Sequence, residues 1–83
     1  MKRVKLLYFA GVRDLIGRSE EELELPETIA KVAALVSYLE EQRPDLRGRL
    51  GSVRIAVNEA FADADDPVRH GDVIALIPPV AGG

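Results

Sequence analysis

The chain has 83 residues, 47% hydrophobic and 30% charged, which is room for one globular domain. It has no cysteine, which excludes disulfides, thiolate-bound zinc, iron–sulfur clusters and a catalytic or persulfide-carrying cysteine, and one histidine, which argues against a multi-histidine metal site. A formal net charge of −3 argues against nucleic acid or an anionic membrane as partner, no apolar run approaches the ~20 residues that span a bilayer, no signal peptide is visible, and the expected location is the cytoplasm.

Val4 to Ala10 reads as the first strand, with Val4, Leu6 and Tyr8 on one face and Lys5, Leu7 and Phe9 on the other. The second face opens on a lysine yet carries two large apolar groups, as expected of a surface partly wet and partly covered. Gly11 to Gly17 is bounded by glycines and reads as a turn or one short helical turn. Glu20 to Leu25 alternates into a second strand, with Leu23 and Leu25 inward and Pro26 as its stop. Its glutamates, Glu20, Glu21 and Glu22, read as a solvated edge that discourages further pairing. Thr28 is the expected N-cap of one long helix, from about Ile29 to Arg43. Ile29, Val32, Val36 and Leu39 recur at helical spacing, Ala33 and Leu35 widen the stripe, and Pro44 stops it. Pro44 to Gly51 is an Arg-rich connector. Arg43, Arg47, Arg49 and Arg54 read as solvated in preference to a basic patch for an acidic partner.

Val53 to Asn58 is the third strand, with Val53, Ile55 and Val57 inward and Arg54 outward. Asn58–Glu59 reads as a tight turn, after which Ala60 to Ala62 pair briefly. Asp63 to Gly71 is a polar loop. Its Asp63, Asp65 and Asp66 lack the spacing of a calcium loop and read as a solvated turn, as does His70. Val73 to Ile77 is almost wholly apolar, hence a central strand, and Pro78–Pro79 ends it because proline donates nothing to a ladder. The expected fold is α+β: a mixed sheet of about five strands with one main helix packed on one face. With first and last strands parallel at the centre, that is the β-grasp, or ubiquitin-like, arrangement. Residues 1–83 form a single domain in which residues 78–83 are an extended tail.

The sequence finishes on Gly82–Gly83. At an average glycine usage of about 7%, such an ending arises by chance in roughly one chain in 200. Here it follows a central strand directly, and Pro78–Pro79 stiffens its root. Two residues without side chains can enter a channel that admits only backbone. The group at the tip is the α-carboxylate of Gly83, which is unreactive toward nucleophiles until another enzyme activates it. An acyl-adenylate followed by a sulfur nucleophile would turn it into a thiocarboxylate, a soft and strong nucleophile.

Two blocks carry a family resemblance: Leu7 to Gly17 (LYFAGVRDLIG), and Ala56–Val57–Asn58 through Gly71–Asp72 to Ile77–Pro78–Pro79–Val80–Ala81–Gly82–Gly83. They resemble the small subunits of molybdopterin synthase, the MoaD-type sulfur carriers; the middle of the chain fits in length and pattern only. Position 81, often threonine in that family, is alanine here. The resemblance implies that an E1-like adenylyltransferase activates Gly83 with ATP and that a sulfur donor leaves a covalent C-terminal thiocarboxylate, with no cofactor tightly bound and no metal. The carrier then threads Val80, Ala81, Gly82 and Gly83 into the active site of the large synthase subunit. Sulfur passes there to cyclic pyranopterin monophosphate, and two carriers serve each dithiolene, in a heterotetramer. It also implies partner contacts at Phe9, Phe61 and Ile77, with Pro78 and Pro79 at the tail root. The alternatives are a sulfur carrier for thiazole synthesis, a ubiquitin-like modifier whose Gly83 forms isopeptide bonds, and an interaction module with an inert tail. No catalytic constellation is evident within the chain.

Overall fold

Two apolar strands distant in sequence lie side by side at the centre of the sheet. In the computed structural model, which describes residues 1–79, β1 (Lys2–Tyr8) runs parallel to β5 (Val73–Ile77), from Lys5 opposite Val73 to Tyr8 opposite Leu76. Antiparallel to β1 on its other side is β2 (Glu20–Leu25), and β5 is flanked by antiparallel β3 (Arg54–Val57), which carries the short β4 (Ala60–Ala62). The order β2-β1-β5-β3-β4 is the mixed five-stranded β-grasp sheet expected from the pattern. The expectations for Val80, Ala81, Gly82 and Gly83 lie outside the described residues.

One face of the sheet is packed. Val4, Leu6 and Tyr8 from β1, Leu25 from β2, Ile55 from β3, and Ile74 and Leu76 from β5 are buried there. The helix α2 (Val32–Gln42) lays Val32, Leu35 and Leu39 across them, at spacings of three and four residues. Each such side chain removed from water contributes about 1.5–3 kcal/mol. The helix begins later than its periodicity implies. Thr28 is not its N-cap; it lies in a turn closed by Ile29 N–H donating to Pro26 O at 3.0 Å. Lys31 is extended and bridges Pro67 instead, and Val32 N–H and Ala33 N–H donate to Asp66 O and Ala64 O at 3.0 and 2.9 Å. The open donors of the first turn are thus met by the carbonyls of a distant loop, with no side-chain cap. Pro44 ends the helix as expected, opening a 3₁₀ turn (Pro44–Leu46).

The glycine-bounded segment is more than one turn. After Tyr8 the chain enters the seven-residue helix α1 (Ala10–Ile16), which ends on Gly17 in the left-handed region at φ 85°. The first strand therefore stops at Tyr8, short of Ala10: Phe9 is the N-cap of α1 and Ala10 takes φ 46°. The connectors are not purely polar. Val12, Leu46, Leu50 and Val68 are buried, and Lys2, itself buried, donates from Nζ to Val68 O at 2.9 Å. Among the described residues no helix is long and apolar enough to cross a membrane.

Candidate functional site

Among the described residues the other face of the sheet carries no helix. Strand register places Glu20, Leu7, Ala75, Ala56 and Phe61 in one row across all five strands. Glu22, Lys5 and Val73 form the row on one side, and Ile77 beside Arg54 starts the row on the other. The face is divided. Its β2–β1 half is charged, with Arg3 Nη2 on Glu24 Oε1 and Lys5 Nζ on Glu20 Oε2, both at 3.0 Å. Hydrogen bonding to Glu24, and the charge of Glu24, raise the Arg3 guanidinium above its ordinary pKa. The β5–β3–β4 half is apolar apart from Arg54.

The sequence-predicted contact residues fall on or beside that apolar half. Phe61 is 58% exposed and Phe9 45%, high values for phenylalanine. Phe9 follows β1 with extended backbone (φ −120°, ψ 150°), so it continues the alternation that set it with Lys5 and Leu7. Ile77 is half-buried at the end of β5. Large apolar side chains left exposed on one sheet face, as Phe9 and Phe61 are, are a feature of interaction surfaces. Pro78 is half-buried, and it lines a groove with Val12, Leu15 and Val53 between α1 and the approach to β3; Pro79 is exposed. The root of the tail is therefore fixed by a strand laddered on both sides.

Two features are not legible in the residue pattern. Arg54 is outward and exposed as expected, and in addition its guanidinium lies 3.7 Å from the centroid of the Phe61 ring. Glu21 was expected on a solvated edge. Its side chain is only 9% exposed, and it accepts hydrogen bonds from Tyr8 Oη at 2.5 Å and from Arg43 Nη2, with Arg18 at 3.7 Å. Burial, then the Glu21 hydrogen bond, push the Tyr8 phenol above its ordinary pKa. This network ties the last residue of β1, immediately before Phe9, to the C-terminal end of α2. Arg43 is thereby a structural cation and no part of a free basic patch.

The polar loop behaves as a loop. Asp63 N–H donates to Asp66 Oδ2 at 2.8 Å, closing a turn, and His70 Nδ1 accepts Arg3 N–H at 3.0 Å. Among the described residues no group of three or more His, Asp or Glu side chains is placed to hold a metal ion. The described residues thus set an open sheet face beside the root of the tail.

Residues 6–83 match the model of the ThiS family, and the chain belongs to that family. Its relatives include molybdopterin synthase sulfur carrier subunits. That of Mycobacterium tuberculosis is 35% identical over 83 residues, covering all of both chains, and that of Escherichia coli is 35% identical over 82 residues, covering 96% of this chain and 99% of the other. A solved Pyrococcus furiosus chain superposes with a TM-score of 0.84 at 34% identity, covering 96% of this chain and 100% of that one. A Helicobacter pylori chain, solved as a complex of subunits 1 and 2 of molybdopterin-converting factor, superposes with a TM-score of 0.69 at 28% identity, covering 98% and 99%.

Proposed function

We propose that this chain is the sulfur-carrier subunit of a molybdopterin synthase and carries sulfur on its own C-terminus. The observation that supports this most is the placement of β5. It is laddered between β1 and β3, borders the bare apolar half of the sheet, and leads through Pro78–Pro79 toward Gly82–Gly83. The full-length match to carriers of that name agrees with it.

In this reading an E1-like enzyme joins the Gly83 carboxylate to the α-phosphate of ATP, releasing pyrophosphate. A nucleophile at the oxidation level of sulfide then displaces AMP and leaves the thiocarboxylate. Phe9, Phe61 and Ile77 dock on the large synthase subunit, while Val80, Ala81, Gly82 and Gly83 thread into its active site. There the sulfur passes to cyclic pyranopterin monophosphate. A dithiolene takes two sulfurs and each tail brings one, so two carriers act per product, in an assembly of two large and two small subunits. The carrier holds no tightly bound cofactor and works in the cytoplasm.

The test is the intact mass of the protein from its own host, before and after an alkylating agent. A species heavier by one sulfur-for-oxygen exchange and alkylated at Gly83 is the expected result. A carboxylate left unchanged after incubation with ATP, sulfide and the host's E1-like enzyme overturns the reading. Isopeptide conjugates on a denaturing gel would support a modifier instead.

A further inference from the structure

The cations of the open face are not alike. Arg3 and Lys5 each have a carboxylate at 3.0 Å, supplied by β2. Arg54 stands on the apolar half, in register with Ile77, and among the described residues no carboxylate pairs with it. Its guanidinium lies over the Phe61 ring instead, 3.7 Å from the centroid. Stacking occupies a π face and leaves the N–H donors at the edge of the plane available.

We infer that Arg54 is the recognition cation of this face and that the protein seated on it presents a carboxylate to the guanidinium. The inference rests on the reading of the face as the docking surface for the large subunit. Docking over Phe61 and Ile77 removes water from the guanidinium between them. An unpaired charge there is costly, whereas a carboxylate meeting the fork of donors restores the lost hydrogen bonds in bidentate geometry. The Phe61 ring already holds the guanidinium in place, so less side-chain freedom is lost on binding. The chain carries a net charge of −3, so an acidic partner is repelled by the molecule as a whole. Arg54 makes one spot of it attractive to such a partner, which fixes orientation and register.

The experiment compares affinities of the full chain for the purified large subunit of the same host, at low and high salt. Variants are Arg54→Glu, Arg54→Met and Arg54→Lys, with Phe9→Ser and Phe61→Ser as reference changes and circular dichroism as the check on folding. Arg54→Met is expected to weaken binding about tenfold and flatten its salt dependence, Arg54→Glu to weaken it about a hundredfold, and Arg54→Lys to fall between wild type and Arg54→Met. If both phenylalanine variants bind weakly while Arg54→Glu and Arg54→Met bind like wild type, the docking face stands and the role of Arg54 is overturned. If all of them bind like wild type, the docking face itself is overturned.

Discussion

Leu6 of β1 and Ile74 of β5 stand opposite each other in parallel register, and neither exposes any surface. This contact joins the strand that leads to the tail to the strand at the other end of the sequence. Leu6→Ala or Ile74→Ala is expected to lower unfolding free energy by about 2–5 kcal/mol, through lost burial and the cavity left behind. Urea denaturation measures it, and a loss under about 1 kcal/mol would contradict it, because the lost transfer free energy alone exceeds that even if the cavity refills.

Phe9→Ser and Phe61→Ser are expected to cost less. Both rings are only about half exposed, at 45% and 58%, so folding stability should fall by about 1 kcal/mol, with a little added at Phe61 for the lost Arg54 stack. Partner affinity, read by calorimetry against the large subunit, should fall by roughly tenfold or more for a ring at the centre of an interface. Unfolding of either variant would place its ring in the core.

Alkaline pH should weaken the fold through Tyr8. Its phenol is held neutral in the folded protein by burial and by Glu21, so it titrates above tyrosine's usual 10.0. Above that pH the unfolded chain releases the proton while the folded chain keeps it. The folded state then binds more protons, and stability declines as pH rises, at up to about 1.4 kcal/mol per pH unit. Tyr8→Phe removes this contribution. The stability gap between wild type and Tyr8→Phe should therefore shrink between about pH 9 and pH 11. A gap independent of pH in urea titrations would contradict it.

The turn between β3 and β4 has Asn58 and Glu59 both at positive φ, 51° and 72°. Asn58 tolerates this, and its side chain also serves β5: Oδ1 accepts Val73 N–H at 2.9 Å and Nδ2 donates to Asp72 Oδ1 at 3.0 Å. Asn58→Ala should cost about 1–3 kcal/mol. Glu59 has no such compensation among the described residues, so Glu59→Gly should stabilise by about 0.5–1 kcal/mol. Thermal denaturation of the two variants should move in opposite directions.

What was legible in the residues is what local pattern determines. Glu20–Leu25 is a strand with the bounds its alternation and Pro26 imply, and Val73–Ile77 is central because it is apolar on both faces. The misplaced start of α2 has a non-local cause. Thr28 and Ile29 have the chemistry of a helix start, but the carbonyls of Ala64 and Asp66 satisfy the first turn at Val32 and Ala33 instead. Glu21 is the same case. Within the run of glutamates it looks like its neighbours, and only Tyr8 and Arg43, brought in by the fold, make it an inward residue. On the candidate site, alternation placed Leu7 and Phe9 together on the open face. The stacking of Arg54 on Phe61 depends on pairing across a hairpin and has no signature in spacing.

The central position of β5 also has a mechanical meaning. A pull along its C-terminal direction loads the parallel ladder to β1 and the antiparallel ladder to β3 at once, and both in shear. Their hydrogen bonds must then yield together, whereas an edge strand could be peeled away one bond at a time. A tail drawn out of a tight channel transmits its load to the part of the molecule best built to bear it. On the proposed reading of the tail, this lets one folded chain be seated, withdrawn and recharged through many rounds without being unravelled by its own release.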